Sequence, residues 1–144
     1  MKHFGAKMEY ADERVRDLMK AYDNYIANCS HIEMQTVYQT VVNMPAPRFY
    51  VSEKRASIVV SELLKGHPCR NKLKNEMFTE ICRRVMELKK SNPTLGITEL
   101  CAIVVQQPAP KFYMAAASAK MLIIRTRKKW IKEKLKRLYL YASL

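Results

Sequence analysis

Glycine is scarce in this sequence, three residues in 144, and it is accompanied by only six prolines. Turns and hairpins draw on these two residue types, so the chain is expected to be all-α. Acidic residues are also few, 13 against 26 Lys and Arg, which leaves a net charge of +13 and a pI near 9.7. Such an excess suits a polyanionic partner, nucleic acid or an anionic membrane surface, and says nothing about fold. No run of 18 apolar residues occurs, and Met1-Lys-His-Phe-Gly lacks the apolar stretch of a secretion signal. The expectation is a soluble intracellular protein, cytoplasmic or nucleoid-associated.

Metal and catalytic patterns are missing as well. Cys29, Cys69, Cys82 and Cys101 have no CxxC spacing and no acidic or histidine cluster beside them, which argues against zinc. Cys82 and Cys101 fall on apolar positions and read as buried free thiols. His3, His31 and His67 are scattered near a terminus or linker. No glycine-rich phosphate loop appears, and no nucleophile has a base at useful spacing, so neither an enzyme nor a cofactor is expected.

What the chain does contain is a repeat. Val-Val-Asn-Met-Pro-Ala-Pro-Arg-Phe-Tyr at 41–50 returns as Val-Val-Gln-Gln-Pro-Ala-Pro-Lys-Phe-Tyr at 104–113, 63 residues later. Aligned without a gap, 34–57 and 97–120 share Val41/Val104, Val42/Val105, Pro45/Pro108, Ala46/Ala109, Pro47/Pro110, Phe49/Phe112, Tyr50/Tyr113 and Ala56/Ala119. Arg48 and Lys111 keep a positive charge at one place in both copies. The same offset superposes Val15, Leu18, Met19 and Tyr22 on Phe78, Ile81, Cys82 and Val85, all at helical spacing.

Each copy therefore predicts three helices, giving two tandem tri-helical repeats at 10–66 and 72–144. The first helix runs from Tyr10 to about Ala27 in copy one. The second begins near Glu33 or Thr98, with Thr98 as an N-cap, and stops at Pro45 or Pro108. Pro-Ala-Pro is a stiff connector, and Ser52 is placed to cap a third helix, Glu53–Leu64, ended by Gly66-His67-Pro68. In copy two the third helix starts around Ala115 and, with no Gly or Pro to stop it, continues to Tyr139. The β-branched run Ile58-Val59-Val60 and the stretch Met121–Ile124 leave a short strand open at either place.

Helix, short helix, connector and third helix describe a helix-turn-helix-like unit. In that reading Ser52, Lys54 and Arg55 of copy one, with Ser118 and Lys120 of copy two, meet bases or phosphates, and Arg48 and Lys111 pass the backbone. The gap from Val42 to Ser52 is longer than the usual three- or four-residue turn, and small tri-helical units also serve as structural or adaptor modules. Ala115–Ala117 replaces the charged start of copy one, so one copy reads and the other packs or dimerises. A twofold dimer suits a DNA reader, and two internal units could already supply pseudo-twofold recognition within one chain.

The second candidate contact is the basic C-terminal helix. Residues 120–144 hold nine Lys and Arg against Glu133 alone. Arg125, Arg127, Lys128, Lys129, Lys132, Lys136 and Arg137 would lie along a phosphate backbone, giving affinity that falls steeply with salt. A solvated face is the plain alternative, and a basic amphipathic helix also fits an anionic membrane surface. Trp130 either stacks on a base or packs at the rim. For Phe49, Tyr50, Phe112 and Tyr113, the plain reading has each Phe plug the core of its own unit while the Tyr hydroxyl caps nearby backbone. The alternative displays the pair to a partner.

Residues 44–56, Met-Pro-Ala-Pro-Arg-Phe-Tyr-Val-Ser-Glu-Lys-Arg-Ala, resemble small uncharacterised basic proteins of gut Bacteroidales and their phages. The resemblance covers that motif and brings no site residues. It implies a phage context, with either a small DNA-binding regulator or a virion or packaging component that touches DNA. The second implies a homo-oligomer or larger assembly.

Overall fold

The computed structural model describes residues 4–143, with side chains from residue 10 onward. Six helices follow one another, α1 Phe4–Asn28, α2 Val37–Val42, α3 Glu53–Leu64, α4 Lys72–Ser91, α5 Ile97–Val105 and α6 Ala116–Ala142. Among the described residues there is no strand, only one isolated bridge. The all-α expectation holds, and both β-branched stretches lie inside helices, Ile58–Val60 in α3 and Met121–Ile124 in α6. Packing of their inward residues, Val60 and Ile123, outweighs the weak local preference.

Three expected helix starts move, the first being that of α1, which begins at Phe4 rather than Tyr10. Residues 34–36 form a turn, so α2 begins at Val37 rather than near Glu33. Gly96, not Thr98, is the N-cap of α5, and the Thr98 hydroxyl instead shares a 3.0 Å hydrogen bond with Ser57 of α3. Ser52 does cap α3, accepting from the Arg55 amide at 3.2 Å. The other end of α3 closes on Gly66, whose φ of +87° suits a residue without Cβ. Gly66 N–H donates to Leu63 and His67 N–H to Glu62, a Schellman pair. Sixty-three residues on, Lys129 and Ile131 stand where Gly66 and Pro68 end α3, and α6 continues through them.

The two copies do not close on themselves. The helices in contact are α3 with α4 and α5, and α6 with α1 and α2. Each three-helix group takes its third helix from the other copy, so the sequence units 10–66 and 72–144 each span both groups. The crossing is made by the two Pro-Ala-Pro connectors, which run antiparallel. Prolines 45, 47, 108 and 110 have no N–H to give, so Ala46 and Ala109 carry the pairing. Ala46 N–H donates to Ala109 O at 3.0 Å, and Ala109 N–H returns the bond at 2.9 Å. Phe49 N–H donates to Val105 O at 3.1 Å and, by the same offset, Phe112 N–H to Val42 O at 2.9 Å. A pseudo-twofold axis therefore passes between Ala46 and Ala109.

The core forms around that axis. Leu18, Met19 and Tyr22 from α1, Phe78, Ile81 and Val85 from α4, and the valines of α2 and α5 are all buried. Phe49 and Phe112 are buried too, but each stacks on the tyrosine of the other copy, Phe49 on Tyr113 and Phe112 on Tyr50, at 6.1 Å between centroids. The aromatic pairs thus tie the copies together rather than plugging separate units. The Tyr50 hydroxyl donates to the Asp17 carboxylate at 2.6 Å, not to backbone.

Candidate nucleic-acid interface

The sequence candidates fall in two places. The first is a cleft of about 700 Å³ on the pseudo-twofold axis, between the early turns of α1 and α4 and floored by the connectors. Arg48, Ser52, Arg55 and Lys111 all line it. Lys54, one residue from Arg55, is exposed on α3 outside the lining.

Inside the cleft the two cations common to both copies are already engaged. Arg48 lies 3.8 Å from Glu13 and 4.2 Å from the ring centre of Tyr10, and its Nε donates to Phe49 O. Lys111 donates to Glu76 at 2.8 Å. Glu13 and Glu76 are themselves 63 residues apart, so the ion pairs obey the same pseudo-symmetry as the connectors. The hydrogen bond from Lys111 holds the Glu76 carboxyl below its ordinary range. These two cations fasten the connectors to α1 and α4, and their charge is locally balanced. Ser52 likewise spends an acceptor site on the α3 cap.

Two cations that the sequence did not single out share this cleft, Arg14 on α1 and Lys74 on α4. Among the described residues neither has a carboxylate within ion-pair distance, and the same is true of Arg55. The Nε of Arg14 is buried without a hydrogen-bond partner, and burial lowers the guanidinium pKa. Neither residue belongs to a motif, so the only sequence signal was a mismatch between copies. Arg14 aligns with Met77, and Lys74 with Ala11.

The second place is α6. Lys120 and Arg125 are exposed where the helix lies on the body. Arg127 is paired with Asp23 at 3.1 Å and sits over the Tyr22 ring. It aligns with Leu64, the last residue of α3, so the repeat ends here. Every described residue from 127 to 143 is exposed, Lys128, Lys129, Lys132, Lys136 and Arg137 included. Residues 128–142 thus extend from the body as helix for roughly 22 Å. Asp23 is ten residues beyond Glu13 on α1, roughly 15 Å. The extension accordingly leaves from the end of α1 remote from the cleft, and the structure keeps the two candidate surfaces apart.

The extension also carries apolar residues. Ile131, Leu135 and Leu138 are half exposed or more, in register with Ile124, and Trp130 is exposed beside them. Among the described residues no helix is long and apolar enough to cross a membrane, and no three metal-ligating side chains converge. No family model matches the chain, and neither a curated protein nor a solved structure matches it.

Proposed function

We propose that this is a non-catalytic nucleic-acid-binding protein that holds double-stranded DNA through the α6 extension. The observation that carries the reading is the extension itself. Lys128, Lys129, Lys132, Lys134, Lys136 and Arg137 face solvent on a helix whose sole acid after residue 120 is Glu133. Cations on a protruding rod approach phosphates without having to break ion pairs first, and each phosphate neutralised releases condensed counterions.

The exchanged helices add a second element. α5 with α3, and α2 with α6, make two helix pairs related by the pseudo-twofold axis, each resembling a helix-turn-helix pair supplied in trans. Lys54 and Arg55 are exposed at the start of one third helix and Lys120 at the start of the other. Their unequal charge favours contact through the first.

A helical assembly component, as in a virion, is the second reading, and the uncovered Ile131, Leu135 and Leu138 favour it. The test that separates the two is binding to a random-sequence duplex of about 30 base pairs across a salt series. Lys128→Ala/Lys129→Ala should weaken binding and flatten its salt dependence, whereas Lys54→Ala/Arg55→Ala should reduce any preference among sequences. Absence of binding at low salt would sink the nucleic-acid reading and leave assembly.

A further inference from the structure

Internal duplication supplies a comparison within one molecule. Of the five cations that line the axial cleft among the described residues, Arg48 and Lys111 occupy equivalent positions, and both are balanced by equivalent glutamates. The other three break the symmetry. Arg14, Arg55 and Lys74 stand opposite Met77, Ser118 and Ala11, and among the described residues none of the three has a carboxylate partner. What both copies share at this cleft is structural. What only one copy supplies is unbalanced positive charge, contributed by three separate helices and collected at one concavity.

We propose that the axial cleft is a binding site for a phosphate-bearing ligand of nucleotide size, distinct from the α6 extension and independent of the DNA-binding reading. Three observations support the assignment. A cleft of about 700 Å³ lies within the range that holds small ligands. Among the described residues no carboxylate lines it, and Arg14, Arg55 and Lys74 remain to meet an entering anion. Arg14 lines the cleft with no carboxylate partner among the described residues, so its guanidinium supplies charge-assisted donors to an entering anion.

The cleft wall also contains the one described non-glycine residue with positive φ, Tyr113 at +53°. An aromatic residue rarely adopts this conformation, and strain of this kind collects at ligand sites. Tyr10, Tyr50 and Phe112 line the cleft too, giving an apolar body next to the cations. That mixture suits a nucleoside polyphosphate, or equally the phosphorylated 5′ end of a strand, since the recognised chemistry is the same.

The copies provide the variants. Arg14→Met, Arg55→Ser and Lys74→Ala each install the residue that the other copy tolerates at the equivalent place. Calorimetric titration of the full-length protein at low salt would use pyrophosphate, ATP, and tetrathymidylate with and without a 5′-phosphate. Binding of pyrophosphate and ATP is expected, with each single variant losing at least about tenfold in affinity and the triple variant losing binding at about 1 mM. Lys128→Ala/Lys129→Ala should leave these titrations unchanged, which separates this site from α6. Preference for the phosphorylated oligonucleotide over ATP would assign the strand end as the source, and the reverse would assign the free nucleotide. Either no binding of any phosphorylated probe by the wild-type protein, or binding that survives in a folded triple variant, would overturn the proposal.

Discussion

Ala46 and Ala109 exchange a pair of backbone hydrogen bonds across the pseudo-twofold axis, and the helix that follows each connector, α3 or α6, packs on the other copy's helices. The exchange makes a direct prediction about fragments. Residues 1–66 contain α1 and α2 without α6, the helix that packs against both. This fragment should be a dimer, with α3 taking the place of α6 on its partner, or else unfolded. Mixing it with residues 67–144 should restore a folded one-to-one complex. Size-exclusion chromatography with light scattering checks this, and a stable folded monomer of 1–66 would show that α3 can close on its own α1 and α2.

The crossing itself tolerates little bulk. Both alanines are 2% exposed. Ala46→Leu should cost about 1–3 kcal/mol through overpacking, and Ala109→Leu a similar amount. Phe49→Ala should cost more, about 3–5 kcal/mol, because it empties a buried ring site that joins the copies. Urea denaturation measures all three, and an ordering with Phe49→Ala as the mildest would contradict the stacking found here.

Much of this arrangement was legible beforehand, and the part that was not has a physical reason. The 63-residue offset, the inward faces of α1 and α4, the Ser52 cap and the stop at Gly66 all follow from local chemistry. The exchange does not, because Ala56 and Val60 present the same apolar stripe whichever copy's helices receive it. The partners of Arg48 and Lys111 were hidden for a related reason. Glu13 and Glu76 lie 35 residues away from them, outside any local pairing rule, and only the fold brings them together. Arg14 and Lys74 are ordinary helix residues by sequence, and their meaning depends on the cleft they share.

Alkaline pH should weaken the protein through Tyr50. Burial first, and then the hydrogen bond to Asp17, push its phenol pKa far above the ordinary 10.0. The folded protein keeps this proton where the unfolded chain releases it. The stabilisation is therefore fully present below about pH 10 and declines as pH rises beyond it. Tyr50→Phe should cost about 1 kcal/mol at neutral pH, by leaving Asp17 without its donor, while making stability above pH 10 less pH-dependent. Denaturation midpoints at neutral and alkaline pH test both halves.

The cysteines should differ in reactivity. Burial, aided by the neighbouring Cys82, pushes the Cys101 thiol up to about 11, and burial raises Cys82 as well. At pH 8 only about one Cys101 in a thousand is thiolate, and its side chain is fully buried. Iodoacetamide followed by peptide mass spectrometry should find Cys101 unmodified in the native protein and modified after unfolding. The partly exposed Cys29 and Cys69 should react without unfolding. Early labelling of Cys101 would mean that α5 opens readily.

The α6 extension should be the least protected helix in the free protein. Fifteen exposed residues are marginal as a helix in water. Lys128 with Lys132, and Lys132 with Lys136, place like charges one turn apart, which works against the helix. Only Glu133, paired with Lys129, Lys136 and Arg137 at helical spacing, opposes that repulsion. Hydrogen exchange at 128–142 should therefore be much faster than at 116–126, and added salt should slow it by screening the repulsion. A bound duplex neutralises the same charges, so DNA should protect 128–142 more than it protects α4. Equal protection along the whole of α6 in the free protein would mean that the extension is covered in solution, by a second copy or by its own body, and that the basic face must be uncovered before it can meet a phosphate backbone.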